Sequence, residues 1–94
     1  MKQEDALNEI VAEARKISLV VPHAKWYGFG SYFKNGFFSD IDILIVCRGS
    51  FEAISIRELT KNICSDWPLH LLVMTEEEVA ETEFIDSQGC TPLW

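Results

Sequence analysis

Positive charge is scarce in this chain: eight Lys and Arg stand against fifteen Asp and Glu, a formal charge of −7. Such a balance repels phosphate backbones, so direct binding of duplex DNA or RNA by this chain alone is disfavoured unless a local basic patch or bound cations reverse the field. Long apolar runs are also missing. No stretch approaches the ~20 apolar residues of a membrane span, and the opening MKQEDALNEI carries charges where a signal peptide needs an apolar run. These absences lead to the expectation of a cytoplasmic protein with no membrane partner. Paired cysteines are missing as well: Cys47, Cys64 and Cys90 are odd in number, widely spaced and outside any CxxC arrangement. That spacing argues against a zinc site, and the three read as buried free thiols. Neither an internal repeat, a low-complexity tract nor a linker interrupts the chain.

What is present suits one small domain. The 94 residues, 48% of them hydrophobic, are enough for a single core spanning residues 1–94. Leu7, Ile10, Val11, Ala14 and Ile17 fall at helical spacing with Glu9, Glu13, Arg15 and Lys16 opposite, which predicts an amphipathic helix ending near Pro22. Lys25 to Phe29 is aromatic and β-favouring, and Ile41 to Cys47 is a nearly continuous apolar run of strand length. Ser50 is a candidate cap for a second helix carrying Phe51, Ile54, Leu59 and Ile63, which ends before Trp67 and Pro68. A third strand is expected at Leu69 to Met74. Thr75 and Glu78 then fit a capping box, opening a last helix that runs to about Gln88 with Gly89 as its C-terminal cap. The expected fold is α/β (α+β): a small mixed sheet of about three strands with helices packed on it, in the order α-β-β-α-β-α. Strands two and three, joined through a helix, should be parallel by a right-handed crossover, and the short link between strands one and two permits an antiparallel pair.

The chemistry concentrates in GFGSYFKNGFFSDIDILIV, Gly28 to Val46. Two residues along a strand span roughly 6.6 Å on one face, so Asp40 and Asp42 project together while Ile41 and Ile43 turn into the core. Two hard oxygen donors on one face suit Mg²⁺, completed by water and substrate phosphates. Without a cation, two like charges this close would raise one pKa and cost stability. Upstream, Gly28, Gly30 and Ser31 supply close backbone approach and a hydroxyl donor, as a phosphate cradle requires. Backbone amides in that turn, or at the start of a short helix opened by Ser31, can hold anionic oxygens. Gly36 turns the chain back, which sets the cradle beside the aspartates.

With those residues in view, GSYFKNGFFSDIDILIV resembles the GS followed by DxD signature of the polymerase β-like nucleotidyltransferase superfamily, especially its minimal single-domain members. The order of elements agrees over nearly the whole chain. The resemblance implies that Gly30 and Ser31 bind nucleotide phosphates, that Asp40 and Asp42 are catalytic and hold Mg²⁺ or Mn²⁺, and that an NTP, ATP foremost, donates its NMP to an acceptor. It also implies a partner: minimal members are often the small half of a pair with a helical HEPN protein, including toxin and antitoxin pairs, and self-association is the other option.

The chain departs from the family at its third carboxylate, where PLHLLVM offers His70. Period two puts His70, Leu72 and Met74 on one face, so His70 is either a catalytic-site residue facing Asp42 or a solvated strand-end histidine. Imidazole suits transition metals better than Mg²⁺, and its ordinary pKa near 6.5 lets it accept a proton at neutral pH. Glu76, Glu77 and Glu78 could replace the acid, although a helix N-terminus accounts for them better. A catalytically weak or inactive module that binds nucleotide or a partner is the alternative function. Lys34 lies in the loop and either meets a phosphate or is an ordinary surface lysine. Phe37 and Phe38 either stack on a base or anchor the loop, and Trp94 either docks on the sheet or meets another chain.

Overall fold

The structure, a computed structural model, describes residues 3–30, 41–61 and 69–93. Eight elements lie among the described residues. Helix α1 (Gln3–Val20) leads into strand β1 (Lys25–Phe29) and strand β2 (Ile41–Cys47). Helix α2 (Ser50–Leu59), strand β3 (Leu69–Thr75), helices α3 (Glu76–Thr82) and α4 (Phe84–Gln88), and strand β4 (Thr91–Pro92) complete the chain. The sheet order is β3-β2-β1-β4. Strand β1 runs antiparallel to β2 and to β4, and β2 runs parallel to β3, so the mixed α/β architecture holds. No described helix is long and apolar enough to cross a membrane.

The main core lies on one face of the sheet. Ile10, Ala14, Ile17 and Val21, spaced along one stripe of α1 and its exit, meet Ala53 and Ile56 of α2 over Trp26, Ile41, Ile43, Ile45 and Cys47. Leu69, Leu71 and Val73 extend that face onto β3. Because β2 is central and covered on both sides, its run reads as nearly continuous apolar sequence rather than alternation. Leu44 and Val46, pointing the other way, are as buried as their neighbours. Helix α3 contacts β2 and β3, and Phe84 of α4 packs edge-on to Phe29 at 5.2 Å between ring centroids, covering the second face.

Three expectations need correction. The sheet has a fourth strand, because Thr91 and Pro92 pair with Gly28 and Tyr27 and the Leu93 amide donates to the Trp26 carbonyl. A two-residue strand containing proline carries no periodic signal, and proline is tolerated there because the strand is at the edge. The last helix is two: Glu83 adopts a left-handed conformation (φ 51°) between α3 and α4, at a residue type that gives no warning of a break. Ser50 is the first helical residue rather than the cap, which is Gly49 in extended conformation. Glu52 reaches back instead, its carboxylate accepting from the Arg48 amide at 2.8 Å.

Other expectations agree with the coordinates. The Thr75 hydroxyl accepts from the Glu78 amide at 3.2 Å while the Glu78 carboxylate accepts from the Thr75 amide at 3.0 Å, a complete capping box. Gly89 caps α4 in the left-handed region (φ 62°). Cys47 is fully buried and Cys90 partly so, both free. The positions assigned to Tyr32, Phe33, Lys34, Gly36, Phe37, Phe38, Ile63, Cys64, Trp67, Pro68 and Trp94, and the side chain of Leu7, lie outside the described residues.

Candidate functional site

Register brings the site together. Asp42 is the second residue of β2 and His70 the second of β3, and they are direct partners across the parallel pair. Phe29, the last residue of β1, is the partner of Asp42 on the other side. Directly paired residues share a face, so Phe29, Asp42 and His70 form a row across the sheet, on the face opposite the main core. Their order reflects the interior pattern: Ile41 and Ile43 must enter the core, which obliges Asp42 to point the other way.

Within that row the imidazole Nδ1 of His70 lies 3.1 Å from Oδ1 of Asp42, a hydrogen bond. Asp42 is the more enclosed partner, with 23% of its side chain exposed against 69% for His70. Its second oxygen, Oδ2, faces Gly30. A β-carbon built on Gly30 would run into Oδ2 and stand 3.2 Å from the Asp42 Cγ, so a side chain here would oblige the Asp42 carboxylate to move aside. Gly30 also has φ +82°, a conformation that side chains rarely adopt. Two independent constraints, one torsional and one steric, therefore call for glycine at the point where β1 ends beside the carboxylate.

Of the residues singled out in the sequence, Gly30, Asp42 and His70 are brought together. Asp40 and Ser31 lie outside the described residues. Among the described residues no three His, Cys, Asp or Glu side chains converge on one point, so Asp42 and His70 stand as a pair. Glu76, Glu77 and Glu78 follow the far end of β3, seven positions along from the strand's start, and Glu78 is engaged in the capping box. They do not replace the third acid. The contact of Phe84 with Phe29 was not legible in the sequence, since it joins segments 55 positions apart with no local pattern linking them.

Asp42 is the one hard oxygen donor brought to this place among the described residues, with Oδ2 packed against the Gly30 backbone and Oδ1 bonded to His70. A hard divalent ion is commonly held by one or two carboxylates with water and phosphate oxygens filling the remaining positions. On a chain of net charge −7, a bound cation would also reverse the local field felt by an anionic substrate.

Other chemically suggestive features lie elsewhere. A cavity of about 310 Å³ is lined by Ala24, Lys25, Trp26, Tyr27 and Pro92, at the end of β1 remote from Gly30. Among the described residues its lining has no carboxylate to hold a cation. Burial pushes the Cys47 thiol up, and its Sγ is 3.5 Å from the Gly49 and Met74 carbonyl oxygens, which describes an inert core thiol. Burial likewise raises Cys90.

No protein-family model, curated protein or solved structure matches the chain.

Proposed function

We propose that this chain is a metal-dependent nucleotidyltransferase of the polymerase β-like type, transferring an NMP from an NTP, ATP foremost, to an acceptor hydroxyl. The observation that carries the reading is the close seating of the Gly30 backbone against the Asp42 carboxylate, on a strand pair that also presents His70. In a phosphate site the backbone must come within reach of a ligand without a side chain between, and an acid must stand beside it to hold a cation.

Gly30 and Ser31 would hold the triphosphate, and Asp42 with Asp40 would hold Mg²⁺ or Mn²⁺. When bound, the cation neutralises phosphate charge and stabilises the departing oxygen. The acceptor hydroxyl oxygen forms a bond to the α-phosphorus and gives up its proton to water, the bond from that phosphorus to the bridging oxygen of the β-phosphate breaks, and pyrophosphate leaves with the electron pair. Asp42 is held for this role by its bond to His70, which limits the rotation of its carboxylate.

A cytoplasmic location and an acceptor supplied by another subunit, either a helical HEPN-type protein or a second copy, belong to the same reading. His70 in place of an acid favours a second one: a catalytically weak or inactive module of this fold that binds nucleotide or a partner. One experiment separates the two. Incubation with α-labelled ATP, GTP, CTP or UTP, Mn²⁺ or Mg²⁺ and a cell lysate should give label transfer that is lost in Asp42→Asn. Nucleotide binding by calorimetry without any transfer supports the module instead, and neither binding nor transfer rejects both.

A further inference from the structure

We infer that the outer surface formed by the end of α1 and the start of α2 is the interface of a two-fold symmetric dimer of this chain, with Phe51 of each copy seated in an apolar hollow of the other. The inference goes beyond the proposed function and does not rest on it.

Helical periodicity produces the surface. In α2 and at its exit, Ala53, Ile56 and Thr60 turn into the core, which at 3.6 residues per turn leaves Phe51 and Ile54 on the opposite side. In α1, Ile10, Ala14 and Ile17 face the core in the same way, and Leu19 and Val20 stand clear of that stripe. Among the described residues, the large hydrophobic side chains left exposed are Leu19, Val20, Phe51, Ile54 and Leu59, all of them on these two helices. Phe51 is 89% exposed and Leu19 85%, so neither contributes to the core. The two helix ends meet at a hollow of about 230 Å³ lined by Val20, Val21, Pro22, Phe51, Glu52 and Ser55. It is smaller than the roughly 300 to 1,000 Å³ of small-molecule sites, a size that suits a side chain rather than a cofactor.

Area and charge identify the occupant. Leu19, Val20, Phe51 and Ile54, each more than half exposed, present roughly 500 Å² of apolar surface, at the upper end of what monomers leave uncovered. A stable interface covers about 800 Å² per partner, about 60% of it apolar, so one such patch on each copy meets the need. The charges flanking the patch are answered within the chain. Lys16 pairs with Glu13 at 3.4 Å, Lys61 with Glu58 at 3.0 Å, and Glu52 accepts from the Arg48 amide. Arg57 lies close enough to Glu78 to help lower its carboxyl. A partner selected by opposite charge therefore finds no excess of one sign here. Residues 76–88, by contrast, hold six acids and no Lys or Arg, and two copies of a −7 chain repel wherever such segments face each other. A two-fold contact sets the same patch on both sides and needs only self-complementarity. Because α1 and α2 cover the core face of the sheet, the Gly30 and Asp42 site on the opposite face stays open in the dimer.

The test is sedimentation of the full chain over a concentration series, with amide spectra recorded on dilution. The wild type should sediment as a dimer at high concentration and dissociate on dilution, with the amides of Val20, Val21, Phe51 and Ser55 shifting and those of Asp42 and His70 staying. Phe51→Ala should raise the dimer Kd on the order of a hundredfold, and Phe51→Asp should be a monomer at every concentration. Leu19→Ser, on the other helix, should weaken the dimer by an independent route. Because both positions are exposed, all three variants should keep the wild-type circular dichroism spectrum. A wild type that stays monomeric at high concentration, alone or bound to a different protein, overturns the proposal. So does a dimer that survives Phe51→Asp, or dilution shifts centred away from these residues. Label transfer from NTPs is read separately: a monomer that transfers label rejects only the interface, and a dimer that transfers none rejects only the transferase.

Discussion

Gly30→Ala is the most informative single change. The substitution acts twice: it places a side chain at φ +82°, and it drives a methyl into the Asp42 carboxylate. The torsional part costs about 1 kcal/mol or somewhat more. The steric part is relieved by rotating Asp42, since the nearest atom is the end of a side chain, and rotation gives up the bond to His70, worth about 0.5 to 1 kcal/mol for so exposed a partner. The sum is about 1.5 to 3 kcal/mol. Gly89→Ala provides the control, because Gly89 has φ +62° but nothing within 4 Å of the added carbon. It should lose only the torsional part, about 1 kcal/mol. In thermal denaturation, where ~4 to 8 °C corresponds to 1 kcal/mol in a domain of this size, Gly30→Ala should melt several degrees below Gly89→Ala. The His70 imidazole signals in a ¹H–¹⁵N spectrum should move in Gly30→Ala and stay in Gly89→Ala. Equal melting temperatures together with an unmoved His70 signal would refute the close approach of Gly30 to Asp42.

Further outcomes follow from other parts of the fold. Ile43→Ala, at a fully buried position in the central strand, should cost about 2 to 5 kcal/mol and lower the urea midpoint without changing the slope. Thr75→Ala removes the hydroxyl that accepts from the Glu78 amide and should cost about 1 kcal/mol, read as a lower melting temperature. The Thr75 backbone amide and then its hydroxyl hold the Glu78 carboxyl below its ordinary range. A lowered folded-state pKa means that the contribution is full above the ordinary glutamate range and is lost as pH falls through the lowered one. Melting curves from pH 6 to pH 3 should therefore fall more steeply for the wild type than for Glu78→Gln. Cys47, fully buried with its thiol pushed up, should react with a thiol reagent more slowly than Cys90 in the native protein, a difference that vanishes in denaturant.

The parts of the fold that were legible share a physical trait: strong local chemistry. The bounds of β1 and β2 follow the aromatic run and the apolar run to the residue. The Thr75 to Glu78 box is written in four consecutive residues, and both hydrogen bonds form. Illegible features depend on partners distant in sequence or on backbone choices any residue can make. Strand β4 exists because β1 offers it an edge, and Glu83 breaks the last helix without glycine or proline. At the candidate site, period two together with the parallel crossover was enough to set His70 opposite Asp42. The nearness of the Gly30 turn to Asp42 was also expected; the steric contact between the two was not readable, because it depends on the exact register of β1 on β2 and on the Asp42 side-chain rotamer. Asp40 and Ser31, the other halves of the two motifs, lie outside the described residues.

The central claim is that the Gly30 turn and the Asp42 carboxylate form one seat for a divalent ion and a triphosphate. Backbone amide spectra recorded while ATP and trace Mn²⁺ are added test it most directly, since the paramagnetic ion broadens the signals nearest to it. The account predicts broadening centred on Gly30, Asp42 and His70, with the Leu19 and Phe51 amides unaffected and the effect abolished in Asp42→Asn. Broadening centred elsewhere on the chain, or unchanged in Asp42→Asn, would contradict it.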